Sequence, residues 1–331
     1  MTSANVLITG ATGFIGYRLT EYLLKKKYKI YCLARDSSKI NLLKNKVEII
    51  NLDLKNINEL DDTLIKNLDY VYHFAGITKH YDKKKYYEIN YECSKNFVGK
   101  IISANPSRLK RFMFCSSQAA AGPTEKLYSM KETDSPNPIN SYGKSKKLAE
   151  DYILERKDKL NSLIIRPPAV FGLGERDIFA YFQMIEKGFM PFAGKGNLTF
   201  SIIYAEDLIK TAVYLSENPG VESGEIFFAA NDDYYSMKEF CNLIAKTANK
   251  NPFKIYIPIW IIKLLGNLNE IIGVLLKKTF LLNKEKLLEL SKNYWVCSNK
   301  KIKTTCPDIA FTDIQTALKE TYEWYKNNKW L

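Results

Sequence analysis

Short apolar runs alternate with helically spaced apolar residues through the first half of the chain. The runs fall at 6–8, 29–34, 47–52, 70–74, 112–115 and 163–165. Each is too short for a helix and too continuous for a strand with one wet face. That is the pattern of strands buried on both sides. Between them, at about 14–27, 56–66, 86–104 and 141–157, apolar residues recur three and four apart, as on one face of a helix. The alternation predicts βαβ units with right-handed crossovers: a doubly wound α/β fold on a parallel sheet, with ligands at the carboxyl ends of the strands. Beyond about residue 170 the rhythm breaks. Gly172, Gly174, Gly188, Pro191, Gly194 and Gly196 cut the chain into short pieces. A helix at about 206–217 and a strand at 225–229 are expected to return to the sheet. The remainder, to Leu331, reads as mostly helical.

The first unit contains a glycine turn. Val6-Leu7-Ile8 runs into Thr9-Gly10-Ala11-Thr12-Gly13-Phe14-Ile15-Gly16, and Leu19, Tyr22 and Leu23 continue at helical spacing. A strand, a tight turn and an opening helix bring free backbone N–H groups to a phosphate, and residues without side chains let the backbone approach it. A glycine triplet alone is a weak signal. Its place between a strand and a helix makes it a dinucleotide cradle of Gly10, Thr12, Gly13, Phe14, Ile15 and Gly16. The expected organisation is a dinucleotide-binding Rossmann domain over 1–168 and about 202–232. A smaller, mostly helical substrate domain would span about 169–201 and 233–331.

The second strand ends Leu33-Ala34-Arg35-Asp36. An acidic residue some 20 positions after the turn would bind the adenosine ribose and select NAD. Ala34 takes that position and Arg35 follows. A guanidinium grips a 2′-phosphate, which a carboxylate would repel. NADP(H) is therefore the preferred cofactor, and NAD(H) the second reading, with Asp36 serving the ribose. Arg18 reads as part of a solvated helix face rather than of the anion site. Asp53, with Leu54 beside it, is placed after the third strand to meet the adenine amino group. Ala75 and Gly76 follow the fourth strand, where small residues let the backbone lie against the cofactor. His73 reads as a satisfied core histidine and His80 as a lone loop residue. With two histidines and no ligand cluster, no metal site is expected.

Asn140-Ser141-Tyr142-Gly143-Lys144-Ser145-Lys146 opens a helix in which Tyr142 and Lys146 share a face. A phenol titrates near 10 when unperturbed. A fixed ammonium one turn away would lower that value and make the phenol an acid–base group. Upstream, the fifth strand ends Cys115-Ser116-Ser117, which brings a hydroxyl to the same edge of the sheet. In a lysine-rich chain Tyr-x-x-x-Lys arises by chance, so its weight comes from this position.

These motifs, in this order and on these elements, resemble the extended short-chain dehydrogenase/reductases, the NAD-dependent epimerase/dehydratase superfamily, over nearly the whole chain. The resemblance implies that Ser117, Tyr142 and Lys146 form a catalytic trio, with Ser117 favoured over Ser116. Tyr142 would exchange the proton and Lys146 would also hold the nicotinamide ribose. It also implies an adenine contact at Asp53, a role for Asn90 in the helix after the fourth strand, and cofactor contacts at Pro167 and Val170. Helices near 86–104 and 141–157 could form the family's four-helix homodimer interface.

Nucleotide-sugar members usually carry an asparagine in the segment after the sixth strand. They also tend to have a tyrosine just before the glycine that follows the catalytic serine. Here those positions are Ala169 and Ala121. Both departures resemble the branch of 3β-hydroxysteroid dehydrogenases and dihydroflavonol reductases. Tyr204, where many relatives have histidine, decides little. The expected activity is NADP-dependent interconversion of a ketone and a secondary alcohol on a small, apolar substrate. The alternatives are a nucleotide-sugar epimerase or dehydratase with tightly bound NAD(P), and a non-catalytic NADP-binding regulator, against which the intact trio argues.

Three bulk features adjust this picture. The net charge of +13 comes from lysines spread along the chain without a nucleic-acid-binding motif, so no nucleic-acid partner is expected. The six cysteines form no CxxC pair, which fits a reducing, cytoplasmic setting. Residues 255–282 are strongly apolar but interrupted by Lys263, Asn267, Asn269, Glu270 and Gly273. Ordinary helix packing is the favoured reading there, ahead of a lid or a membrane-surface contact.

Overall fold

The computed structural model describes residues 3–35, 43 and 45–331. In chain order, the first part runs β1 (Asn5–Thr9), α1 (Phe14–Lys25), β2 (Lys29–Ala34), β3 (Glu48–Asn51), a 3-10 turn (Leu54–Glu59), α2 (Asp62–Lys66), β4 (Tyr70–His73), α3 (Lys84–Tyr86), α4 (Cys93–Ala104), β5 (Arg111–Cys115), α5 (Gln118–Ala121), α6 (Ser141–Leu154) and β6 (Ser162–Arg166). Then follow β7 (Ala169–Phe171), α7 (Phe179–Glu186), β8 (Phe189–Ala193), β9 (Thr199–Tyr204), α8 (Ala205–Glu217), β10 (Glu225–Phe228), β11 (Tyr234–Ser236), α9 (Met237–Thr247), β12 (Phe253–Ile257), α10 (Ile259–Leu276), α11 (Lys284–Leu290), β13 (Tyr294–Trp295), α12 (Lys300–Thr305) and α13 (Ile314–Asn327).

Seven parallel strands form the main sheet in the order β10-β6-β5-β4-β1-β2-β3. The order reverses between β1 and β4, which opens the crevice where such sheets bind ligands. Successive side chains of one strand enter opposite layers. Val6 and Ile8 join Leu19, Leu23, Leu208 and Ala212 on the face of α1 and α8. Leu7 joins Phe97, Ile101, Ala149 and Ile153 on the face of α4 and α6. Burial on both faces is why these strands read as unbroken apolar runs. Between α3 and α4 the helix loosens into a π-turn, Tyr87–Glu92, which contains Asn90.

The later part of the chain is mostly helical, as expected, with α9 to α13 making up most of it, and short strands are added to it. Strand β9 pairs with β7, β11 and β13, and β8 pairs with β12. A third core, around Phe171, Phe182, Phe240 and Tyr325, lies between this sheet and α7, α9 and α13. Pro191 looked like a break in the sequence. In a two-stranded ribbon every strand is an edge, where a missing N–H is tolerated. Residues 259–276 also depart from expectation: α10 is a helix, but most of its apolar side chains face outward instead of packing. Apart from Ile262, its inward stripe is built of small and polar residues, and among the described residues most of its apolar positions stay exposed.

Candidate active site

The glycine turn has the geometry of a phosphate cradle. Gly10 has φ +78°, and a Cβ there would lie 2.7 Å from Ala75 N and Phe74 C. A Cβ on Gly16 would lie 2.2 Å from Gly10 O, so α1 can approach β1 only because that residue has no side chain. No side chain caps α1, which leaves its first-turn N–H groups free for an anion. The cleft in front of this turn is lined by Gly10, Thr12, Gly13, Leu33, Arg35, Asp53, Leu54, Ala75 and Gly76, among others. These residues fit a dinucleotide. Phe14 and Ile15 open α1 behind the cleft, and Ile15 packs on the core.

Arg35 stands exposed at the end of β2, its guanidinium 4.0 Å from the Asp53 carboxylate. Asp53 also accepts the Lys55 N–H at 3.0 Å and so caps the 3-10 turn. Asp36 lies outside the described residues. Arg18 is not the solvated residue expected: its guanidinium donates to Leu173 O at 2.9 Å and ties α1 to the loop after β7. His73 is fully satisfied in the core, between Thr9 Oγ1 at 2.6 Å and Ser94 Oγ at 2.8 Å. Burial drives its pKa down to about 3, helped by the nearby Lys146 charge, so the ring is neutral. His80 closes a local turn with Asp82.

Asn90 ties the loop after β4 to α6. Its Oδ1 accepts Ile77 N–H at 2.8 Å, and its Nδ2 donates to Ile77 O at 3.0 Å and to Ser145 Oγ at 3.1 Å. A π-turn there turns the amide inward, where a regular helix would aim it elsewhere. Lys146 is buried and donates to Cys115 O at 2.8 Å, with its ammonium 4.7 Å from the centre of the Phe114 ring. A Cβ on Gly76 would lie 3.2 Å from Lys146 Nζ, so the ammonium borders the cofactor cleft. Ser117 caps α5 through the Ala119 N–H at 3.1 Å. Its hydroxyl opposes the rise that burial produces in the Tyr142 pKa. Ser116 is turned into the interior, its hydroxyl buried and unpartnered. Pro167 is buried and its carbonyl accepts Gln118 N–H at 2.8 Å. Val170 lies half-buried on β7.

The electrostatics differ from expectation in one respect. Tyr142 sits above its ordinary pKa, because burial outweighs the Ser117 hydroxyl and because Glu289 and Tyr86 add to the rise. Lys146 does not bring the phenol down as the four-residue spacing suggested. Burial lowers the pKa of Lys146 itself, and its ammonium is engaged at Cys115 O.

Three features of the site have no local sequence signal. Glu285 accepts Ser141 N–H at 2.6 Å and Glu289 accepts Asn140 Nδ2–H at 2.9 Å, so α11 holds the first turn of the helix that carries Tyr142. Carboxylates at a helix N-terminus also complement its dipole. Glu150, one turn beyond Lys146, forms a buried two-point ion pair with Arg166 at 2.9 and 2.6 Å and anchors α6 to β6. Gln118 Nε2 is a buried donor without a partner one residue after Ser117.

The chain is similar to known proteins in sequence and in fold. Residues 6–230 match the model of the NAD dependent epimerase/dehydratase family. UDP-glucose 4-epimerase of Vibrio cholerae is 28% identical over 278 residues, covering 80% of this chain and 82% of that one. Ceramide reductase of Caulobacter vibrioides is 24% identical over 98% of this chain and 96% of its own. Among solved structures, UDP-glucuronic acid 4-epimerase from Bacillus cereus in complex with NAD superimposes with a TM-score of 0.77. It is 21% identical, over 98% of this chain and 96% of that one.

Proposed function

Because the chain belongs to the NAD-dependent epimerase/dehydratase family, the extended short-chain dehydrogenase/reductases, and uses a nicotinamide dinucleotide, we propose that it is an NADP-dependent reductase. Its substrate would be a ketone on an apolar or lipid-like molecule. What supports this reading is that Ser117, at the end of β5, and Tyr142 and Lys146, on one face of α6, stand at the ligand edge of the sheet, with the Lys146 ammonium bordering the cradle.

When bound, the nicotinamide supplies or accepts a hydride. The residues of the chain do the rest. Tyr142 donates its proton to the substrate oxygen as negative charge develops there, and Ser117 donates a second hydrogen bond to the same oxygen. A phenol held above its ordinary pKa keeps its proton at neutral pH, which suits the reducing direction. Lys146 and Asn90 order the cleft wall on the nicotinamide side. Arg35, exposed at the end of β2, would take a 2′-phosphate.

The substrate class rests on Ala169 and Ala121 standing where nucleotide-sugar enzymes usually carry asparagine and tyrosine. It is also consistent with a ceramide reductase that matches along almost its whole length. A second reading, a nucleotide-sugar 4-epimerase, is favoured by the higher identity to UDP-glucose 4-epimerase. One experiment separates them: the purified protein is offered NADPH with long-chain, steroid and flavonoid ketones, and separately UDP-glucose and UDP-galactose. Consumption of NADPH with an apolar ketone and inertness toward the sugars supports the reductase. Interconversion of the sugars without net change in the dinucleotide overturns it.

A further inference from the structure

Helix α10 is built inside out. Its inward stripe is Ile262, Gly266, Asn269, Glu270 and Gly273. A Cβ on Gly266 would lie 2.7 Å from Leu287, Asn269 donates to Leu282 O at 2.9 Å, and Glu270 accepts Lys284 N–H at 3.2 Å and faces Lys83 at 3.8 Å. The outward face is apolar: Trp260 is 67% exposed, Ile271 61% and Leu275 75%, with Leu264, Leu265, Leu268, Val274 and Leu276 exposed beside them. The neighbouring ribbon adds exposed Phe189 on β8 and Phe253 and Tyr256 on β12. A helix in contact with water normally carries the opposite arrangement, and an apolar surface of this extent marks a site of interaction.

The charges around the face indicate what covers it. Residues 251–282 contain four lysines, Lys254, Lys263, Lys277 and Lys278, and a single acid, Glu270, which is engaged by Lys83 and Lys284. The lysines are exposed, two of them directly after the helix. We propose that this face docks on an anionic lipid surface. The α10 helix would lie in the plane of the interface, with its apolar side chains below the headgroups and the lysines among them. A second copy is a poor occupant, because pairing two such faces brings lysine against lysine with no free acid in the segment to meet them. A spanning helix is also disfavoured. The contacts from Ile262 to Gly273 hold α10 along the body of the protein, and crossing a bilayer would carry Asn269 and Glu270 into hydrocarbon.

The test is flotation of the full chain with phosphatidylcholine vesicles, with and without phosphatidylglycerol, beside sedimentation of the protein alone. The expected result is binding to the anionic vesicles about tenfold tighter than to neutral ones, weakened by salt. It should be accompanied by a blue shift of tryptophan emission that Trp260→Phe removes without removing binding. The triple variant Leu264→Glu, Leu268→Glu, Leu275→Glu should lose binding at least about tenfold while keeping dinucleotide affinity and melting temperature, which shows that it folds. The proposal is overturned if the wild-type protein floats with neither vesicle or if the triple variant floats as well as wild type. It is equally overturned if sedimentation shows an oligomer that the triple variant breaks and vesicles do not displace.

Discussion

Replacing Glu150 by Ala tests how the catalytic helix is held. Glu150 and Arg166 are both fully buried and meet through two hydrogen bonds, at 2.9 and 2.6 Å. Removing the carboxylate leaves a guanidinium in the core with no counter-charge, and the Phe228 ring beside it cannot supply one. Breaking a buried pair from one side costs about 3–5 kcal/mol. A chain of this size loses on the order of 2 °C in melting temperature per kcal/mol, so the variant should melt roughly 6–10 °C lower. The double variant Glu150→Leu, Arg166→Met removes both charges and should recover most of that loss, because the cost lies in the unpaired ion rather than in the missing bond. The site should respond as well. The Glu150 carboxylate raises the pKa of Lys146 against the lowering by burial. Without it the ammonium deprotonates at lower pH, and the alkaline limb of activity should move down. Calorimetry of wild type and the two variants, with a pH–rate profile of each, reads both effects. A single variant that melts within about 1 °C of wild type would refute the reasoning.

Three further outcomes follow from the site. His73 is neutral in the fold with a pKa of about 3, against an unfolded value near 6.5. The unfolded chain therefore binds one more proton between those values, and the stability present above pH 6.5 is lost as the pH falls toward 3. Its slope there, about 1.4 kcal/mol per pH unit at most, should be absent in His73→Asn when urea unfolding is followed across that range. Glu289→Gln keeps an acceptor for Asn140 but removes a charge that holds the Tyr142 pKa up. The alkaline limb of the reductive pH profile should therefore shift to lower pH with little change in stability. An unmoved limb would show that Glu289 does not act on the phenol. Arg35→Ala should weaken NADPH binding by about tenfold and NADH by less than about threefold, as the loss of one charge-assisted contact to a phosphate at an exposed position. Equal losses in titration calorimetry would remove Arg35 from cofactor selection.

The parts of the fold that were legible in the sequence are those fixed by local chemistry. Val6-Leu7-Ile8 must be a doubly buried strand, and only residues without side chains fit at Gly10 and Gly16. Tyr142 and Lys146 are one turn apart by helix geometry alone, and Asn140 caps that helix by the chemistry of its side chain. What escaped depends on distant partners. Glu285 and Glu289 reach α6 from more than 140 residues away, and nothing near them in sequence points to the contact. The apolar period of residues 259–276 specifies a helix. It does not say which side meets the protein, because apolar residues fall on most of its circumference and the inward stripe is marked only by Gly266, Asn269 and Gly273. The Tyr142 pKa was misjudged for a related reason: spacing places the ammonium, but burial of the phenol is a property of the assembled site.

Hydride transfer governed by Tyr142 is most directly tested with NADPH carrying deuterium at the transferable position of the nicotinamide, an apolar ketone that the protein accepts, and mass analysis of the released alcohol. The account predicts one deuterium per alcohol formed and one NADP accumulated for each. It also predicts a Tyr142→Phe variant that binds NADPH within about threefold of wild type but is at least about a thousandfold slower. Alcohol without deuterium, turnover without NADP accumulating, or a Tyr142→Phe variant that keeps its rate would contradict it.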